Sequence, residues 1–212
     1  MTYLADVAAL ARKDLLLELR ARDTLPAMLL FVLSTLVVFH FVLPADSSEL
    51  AAKGLLWIAI LFTALLGLSR AFAAERDSDV IDGLVLATRD RSAIWLGKVL
   101  SVVAFLVLAE LVALPAFALF FTSVGASTVG GVLLADIGIC AVGTLLAAMA
   151  AASRARELLL PLLFLPLAVP IVVGGVGASV ADHSGKYLAF LVLYDGIFSL
   201  VAWASFEYVV TE

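Results

Sequence analysis

Residues 99–122 read VLSVVAFLVLAELVALPAFALFFT, an apolar run of 24 residues whose only charged side chain is Glu110. A helix needs about 20 mostly apolar residues to cross the hydrocarbon core of a bilayer. A run of this length therefore predicts a transmembrane helix, and it separates this chain from the ordinary soluble classes.

Five further runs of similar length, bounded by charged residues, glycine or proline, repeat the pattern. The composition agrees, because the 212 residues are 64% hydrophobic and 15% charged, whereas soluble domains are about half apolar and about a quarter charged. A single cysteine excludes a disulfide within the chain. We expect an all-α polytopic membrane protein, and we expect no nucleic-acid partner. The six predicted transmembrane helices cover residues 25–43, 54–73, 99–122, 129–152, 158–178 and 187–210.

The basic residues predict the orientation, because short cytoplasmic loops retain lysine and arginine. With six spans, the two termini share one side with the loops after the second and fourth spans. That side carries eleven of the 13 basic residues, and the other side carries Lys53 and Lys186. We therefore expect both termini in the cytoplasm. We also expect no cleavable signal peptide, since the first 24 residues are rich in charge.

The segment before the first span predicts an amphipathic helix on the membrane surface. Apolar residues recur from Leu4 to Leu19 at spacings of three and four, as on one face of a helix. We divide the chain into this interfacial elbow helix, residues 1–24, and a six-helix domain, residues 25–212. The charged residues of the elbow, which either face solvent and headgroups or dock a partner, are Lys13, Asp14, Glu18 and Arg22.

The loop of residues 74–93 is the longest polar segment between spans. Val80, Ile81, Leu84 and Val85 form one face of a short predicted helix. A simple connection needs only a few residues, so an amphipathic element here indicates a docking surface for a partner or a helix lying on the membrane.

Three acidic residues fall inside predicted spans, where an ionisable side chain is costly and usually faces the bundle interior. Glu110 and Asp136 lie near the middle of their spans, and Asp195 is a third candidate. They either serve helix packing or form a polar strip or hinge pair along a translocation route.

Histidine, cysteine and proline supply the remaining candidates. His40 and His183 are predicted near the external face, and their imidazole groups could bind a ligand. We expect Cys140 to act as a small apolar side chain. Three prolines in the fifth predicted span, at positions 161, 166 and 170, predict a kinked or broken helix. No metal site and no catalytic residue is expected.

Taken in order, short segments along the chain resemble the CcmB family, the permease subunit of the cytochrome c maturation ABC transporter, also called haem exporter protein B. The chain departs from the family pattern at Thr88, where proline is usual. The segments that carry the resemblance are KDL at 13–15, ELR at 18–20, GLLW at 54–57, GLSRAF at 67–72, DGL at 82–84, DR at 90–91, GK at 97–98, EL at 110–111 with Pro115, and RARELLLPLL at 154–163.

The resemblance implies a type-2 ABC exporter permease in the bacterial inner membrane, with a separate cytoplasmic ATPase. The chain lacks a phosphate-binding loop motif, so we expect no enzyme activity in it. Other implied partners are a haem-handling membrane subunit, a haem chaperone and a second copy of the chain. Haem is a possible transported substrate rather than a stably bound cofactor, and His40 and His183 are possible haem contacts, because imidazole is a common axial ligand of haem iron. The implied ATPase-coupling residues are Val80, Ile81, Asp82, Gly83, Leu84 and Val85, with Arg89, Asp90 and Arg91 as their polar rim.

Three functions remain open from the sequence. The chain either moves haem or drives release of a haem-loaded chaperone on the periplasmic side. Alternatively, it is a generic ABC-2 type permease that exports a lipid or a peptide. The third alternative is a structural subunit of the haem-handling complex.

Overall fold

The computed structural model describes residues 3–44, 48–72, 83, 88, 90–151, 153 and 156–209, with only the backbone described at Arg156 and Glu157. Regular structure in these residues is helical. The helices are α1 (Tyr3–Ala21), α2 (Thr24–Val42), α3 (Glu49–Arg70), α4 (Ser92–Phe120), α5 (Ala126–Ala151), α6 (Arg156–Val180) and α7 (Gly185–Val209).

Helices α2 to α7 are each long and apolar enough to cross a membrane. This confirms the all-α polytopic fold class and the number of predicted spans. Two helices begin five or more residues earlier than predicted, α3 at Glu49 and α4 at Ser92. Their second turns contain the buried lysines Lys53 and Lys98, which a hydropathy argument places outside a span.

Local capping signals explain several helix ends. The Ser48 side chain accepts a hydrogen bond from the Ala51 N–H and so caps α3. Helix α2 ends at Val42, and Leu43 is extended before Pro44, because proline disfavours helical geometry in the residue before it. Helix α1 ends at Ala21, and the φ of 56° at the next residue, Arg22, lies in the left-handed region that commonly terminates helices.

Helix α5 forms the centre of the bundle. It packs against α3, α4, α6 and α7, and Ala135, Ile139, Cys140 and Ala141 are almost completely buried on it. Helices α2 and α7 bury much less of their surface within the chain. Polar side chains on α5 therefore lie where several helices meet rather than at a lipid-facing surface.

Helix α6 is continuous through its three prolines, so the broken-helix alternative is wrong for this structure. A neighbouring helix supports the proline-containing region, because the Tyr194 hydroxyl of α7 donates a hydrogen bond of 2.7 Å to the Leu167 carbonyl, in the turn before Pro170. This bond links α7 to α6 in the proline-containing region, although the carbonyl that Pro170 leaves without a helical N–H donor is that of Pro166.

Most of the predicted coupling loop lies outside the described residues. Val80, Ile81, Asp82, Leu84, Val85 and Arg89 belong to this part, so their role stays a prediction. Gly83 is exposed, and Asp90 and Arg91 are described immediately before α4.

Candidate functional site: a buried carboxylate cluster

The three intramembrane acids meet in the interior of the bundle. Glu110 on α4, Asp136 on α5 and Asp195 on α7 expose only 4%, 1% and 6% of their surfaces. The Glu110 carboxyl interacts electrostatically with that of Asp136, which in turn interacts with Asp195. The sequence prediction that acids inside spans face the bundle interior therefore agrees with the structure for all three residues, and we call them the carboxylate cluster.

The carboxylate cluster has no cation partner in the described chain. Glu110 Oε1 and both carboxylate oxygens of Asp136 and Asp195 are buried without a hydrogen-bond partner there. The two buried lysines, Lys53 and Lys98, form their ion pairs elsewhere. Burying carboxylates without a cation or donors is costly, so the cluster is not explained as a stabilising network.

The described residues contain no group of three or more His, Cys, Asp or Glu side chains that could hold a metal ion. The carboxylate cluster is thus not arranged as a metal centre. Cys140, one turn after Asp136 on α5, is fully buried and is a free cysteine.

Sequence reasoning ranked Asp195 below the other two acids, and the structure places it in the same cluster. A glycine makes this possible, because a Cβ atom at Gly138 of α5 would overlap Asp195 Oδ1. Gly138 lies two residues after Asp136, but one sequence does not reveal which glycine faces which neighbouring helix.

The elbow acids bind other parts of the same chain. Asp14 forms an ion pair of 3.1 Å with Lys98 of α4 and another of 3.1 Å with Lys13. Glu18 Oε1 accepts hydrogen bonds from the backbone N–H groups of Thr24, at 2.5 Å, and Leu25, at 3.2 Å. Neither predicted role, a solvated ladder or a partner-docking face, describes these two acids.

Helix α1 reaches α4 through a close contact at Gly97. A Cβ atom at this glycine would lie 2.8 Å from Leu10 Cβ and 3.4 Å from the Ala11 nitrogen, so a larger residue would push the two helices apart. Val7 and Ala11 are buried on α1. Lys98, assigned to a cytoplasmic loop in the sequence analysis, instead lies within α4 and is buried beside α1.

A second buried polar network, which sequence reasoning missed, joins α3 to α6. Lys53 Nζ donates to the Ser179 carbonyl at 2.6 Å and pairs with Glu49 at 2.5 Å. The Trp57 indole N–H donates to Ser179 Oγ at 3.0 Å, and that hydroxyl donates to the Gly175 carbonyl at 2.9 Å. The i, i+4 spacing of Glu49 and Lys53 was the available sequence signal.

The two histidines occupy different surroundings. His40 Nδ1 lies 3.0 Å from the Phe120 carbonyl oxygen, beside a cavity of about 570 Å³ that includes Glu49 and Phe121 in its lining. His183 is exposed in the turn between α6 and α7 and does not line that cavity. The structure therefore does not join the two histidines in one cavity.

The described part of the predicted polar rim contributes to the start of α4. Asp90 Oδ1 accepts hydrogen bonds from the Ser92 N–H at 2.9 Å and the Ser92 hydroxyl at 2.7 Å. Arg91 lies 3.9 Å from Glu207 of α7. These contacts fix the helix that follows the predicted coupling loop.

Comparison with known proteins gives the same family that the sequence segments suggested. The chain is 31% identical over 183 residues to heme exporter protein B of Bradyrhizobium diazoefficiens, covering 82% of this chain and 81% of the relative. It is 32% identical over 195 residues to the protein of the same name from Rhodobacter capsulatus, covering 87% and 86%. It is 30% identical over 182 residues to that of Pseudomonas aeruginosa, covering 83% and 81%. Because the model of the CcmB protein family also matches residues 5–206, the chain belongs to the CcmB family.

Proposed function

We propose that this chain is the permease subunit of an ATP-driven haem exporter that serves cytochrome c maturation. The observation that carries the proposal is the similarity, across most of the chain, to proteins named heme exporter protein B. The six membrane-spanning helices are consistent with a permease.

The carboxylate cluster is the part of the bundle best suited to a functional role. Its acids come from α4, α5 and α7, so a relative movement of these helices would change the distances between them. Intramembrane acids that face a bundle interior commonly mark a transport route or a moving element. We assign the cluster to a polar strip or hinge in the permease.

The energy source is a partner protein in this proposal. The sequence contains no phosphate-binding loop motif, so a cytoplasmic ATPase supplies the hydrolysis and docks at residues 74–93. We place the chain in the bacterial inner membrane with both termini in the cytoplasm. A haem-handling membrane subunit, a haem chaperone and a second copy of this chain complete the proposed complex.

Deletion and complementation test the physiological role. A strain lacking this chain should lose covalent haem from its periplasmic c-type cytochromes, and the wild-type chain should restore it. Normal haem staining in the deletion strain would contradict the proposal and favour a generic permease. If an ATPase-inactive partner still supports maturation, the chain is a structural subunit instead.

Pull-down with the ATPase tests the coupling loop separately. The double variant Asp82→Lys with Leu84→Asp removes both the charge and the apolar face, and should abolish association. The matched control, Asp182→Lys with Leu50→Asp, alters an exposed turn and an exposed residue in the first turn of α3 and should retain association if the variant is inserted normally. Retained association in the loop variant would contradict docking at this loop.

A further inference from the structure

A mixed-charge cavity lies where four helices meet. Its volume is about 300 Å³, and it is enclosed by α1, the start of α2, the end of α3 and one face of α4. Thr24 begins α2 and Arg70 ends α3, so the cavity lies at the ends of two membrane-spanning helices. This is the depth of lipid headgroups, whichever way the chain faces.

Three of the five charged groups in the cavity lining already have partners in the protein. Asp14 and Lys98 form an ion pair of 3.1 Å. Glu18 Oε1 accepts the backbone N–H groups at the start of α2. The charges still available to a ligand are therefore Asp23 and Arg70.

Asp23 and Arg70 are both exposed. Asp23 immediately precedes α2, but its side chain forms no capping hydrogen bond. The first backbone N–H groups of α2 donate to Glu18 instead. Among the described residues Arg70 forms no ion pair. Within the part of the chain that the structure describes, the cavity thus presents one unpaired carboxylate and one unpaired guanidinium.

These two groups match a ligand that carries charges of both signs. A guanidinium binds phosphate oxygens through paired N–H donors, and a carboxylate accepts the N–H groups of a primary ammonium. Leu17, Val102 and Phe105 add apolar surface to the lining. We propose that this cavity binds a zwitterionic phospholipid with a primary ammonium, of the phosphatidylethanolamine type.

Charge and size favour this headgroup over the other common ones. The lining holds three carboxylates and two basic groups, which disfavours a purely anionic headgroup. A quaternary choline ammonium has no N–H to donate to Asp23. A cavity of about 300 Å³ lies at the lower end of small-ligand sites, about 300–1,000 Å³, and accommodates a headgroup better than a whole lipid.

Native mass spectrometry of the full-length chain tests the site independently of haem export. The detergent-purified chain is incubated with equimolar dioleoyl phosphatidylethanolamine, phosphatidylcholine and phosphatidylglycerol, and bound lipids are counted. We expect the ethanolamine lipid to be retained preferentially. Arg70→Gln and Asp23→Asn should each lower its retention about fivefold or more, and Arg70→Lys should lose less than Arg70→Gln.

The matched controls Arg20→Gln and Asp6→Asn make the same charge changes on α1 outside the cavity, and should leave lipid retention unchanged. If Arg70→Gln lowers all phospholipids equally and Asp23→Asn changes nothing, the site recognises phosphate alone and the proposal is overturned. Equal retention of all three lipids by the wild-type chain also overturns it. Soluble O-phosphoethanolamine tests whether the ligand is a free headgroup rather than a lipid. If it displaces the lipid at a similar concentration, the apolar lining contributes nothing and the proposal of a lipid ligand is overturned.

Discussion

The carboxylate cluster shows how single residues can be retained at a cost to stability. Glu110, Asp136 and Asp195 have buried oxygens without hydrogen-bond partners in the described chain. A buried charge without a partner destabilises a fold. Residues kept under such conditions are candidates for function rather than for packing.

We expect Glu110→Gln and Asp136→Asn to separate function from stability. Each substitution keeps the side-chain shape and replaces a buried carboxyl group that has no cation partner, so the free energy of unfolding should stay within about 1 kcal/mol of the wild type or rise. Haem attachment to c-type cytochromes should fall about tenfold. Thermal unfolding of the purified chain and haem staining of the complemented strain measure the two effects.

Asp182→Asn is the control for these variants, because Asp182 is an exposed acid in the turn between α6 and α7. It should change neither quantity. If the cluster variants lose stability while their haem attachment falls only in proportion to protein level, the acids serve helix packing.

His40 is the residue best placed for the predicted haem contact. A carbonyl oxygen only accepts hydrogen bonds, so the contact with Phe120 fixes the proton on Nδ1 and leaves Nε2 available for iron. We expect His40→Gln to lower co-purified haem by at least half, measured by absorbance of the complex purified from native membranes. His183→Gln is the matched control, and equal haem in the wild type and His40→Gln would contradict the contact.

At the scale of helices, charge pairs attach α1 to the transmembrane bundle. The Asp14 and Lys98 side chains are only 10% and 5% exposed, and the Lys98 ammonium also lies 5.1 Å from the centre of the Phe72 ring. The position of α1 on the membrane surface remains a prediction, whereas its packing against α4 is a structural finding.

Removing the buried partner of Asp14 should be far more damaging than removing the exposed one. Lys98→Met leaves a largely buried carboxylate without its interhelical cation, which should cost about 3 kcal/mol of unfolding free energy. Lys13→Met removes an ammonium equally close to Asp14 but 35% exposed, and should cost less than about 1 kcal/mol. Denaturant titration of the purified chain compares them.

A second substitution distinguishes the ion pair from general packing. If the pair is responsible, Asp14→Asn in the Lys98→Met background should recover part of the lost stability, because the largely buried carboxylate that lost its interhelical cation is gone. An additive loss in the double variant would show that Asp14 and Lys98 contribute independently.

The helices were more predictable than their contacts. The length needed to cross a bilayer is a physical threshold, so residues 25–43 predicted α2 to within one residue at each end. The predicted starts of α3 and α4 were too late because of Lys53 and Lys98, since a hydropathy argument places a lysine in water. Here each lysine is buried and forms an ion pair with an acid, Lys53 with the exposed Glu49 one turn away and Lys98 with Asp14 on another helix.

The candidate site was predictable only as separate residues. The apolar surroundings of Glu110 and Asp136 showed that both needed explanation. The meeting of three helices at one cluster depends on rotation and packing, such as the space left at Gly138. Those features arise between segments far apart in the sequence, and a single sequence carries no record of them.

At the scale of the whole molecule, the uneven distribution of basic residues predicts which side each connection faces. Single cysteines test it well, because the native Cys140 is fully buried and should not react. We expect Ser184→Cys, between α6 and α7, to react with a membrane-impermeant maleimide in intact spheroplasts. Thr88→Cys, before α4, and Ser153→Cys, between α5 and α6, should react only after the membrane is opened. The unsubstituted chain is the control for background labelling. If Thr88→Cys but not Ser184→Cys is labelled in intact spheroplasts, the predicted orientation is inverted, and the predicted coupling loop does not face the ATPase.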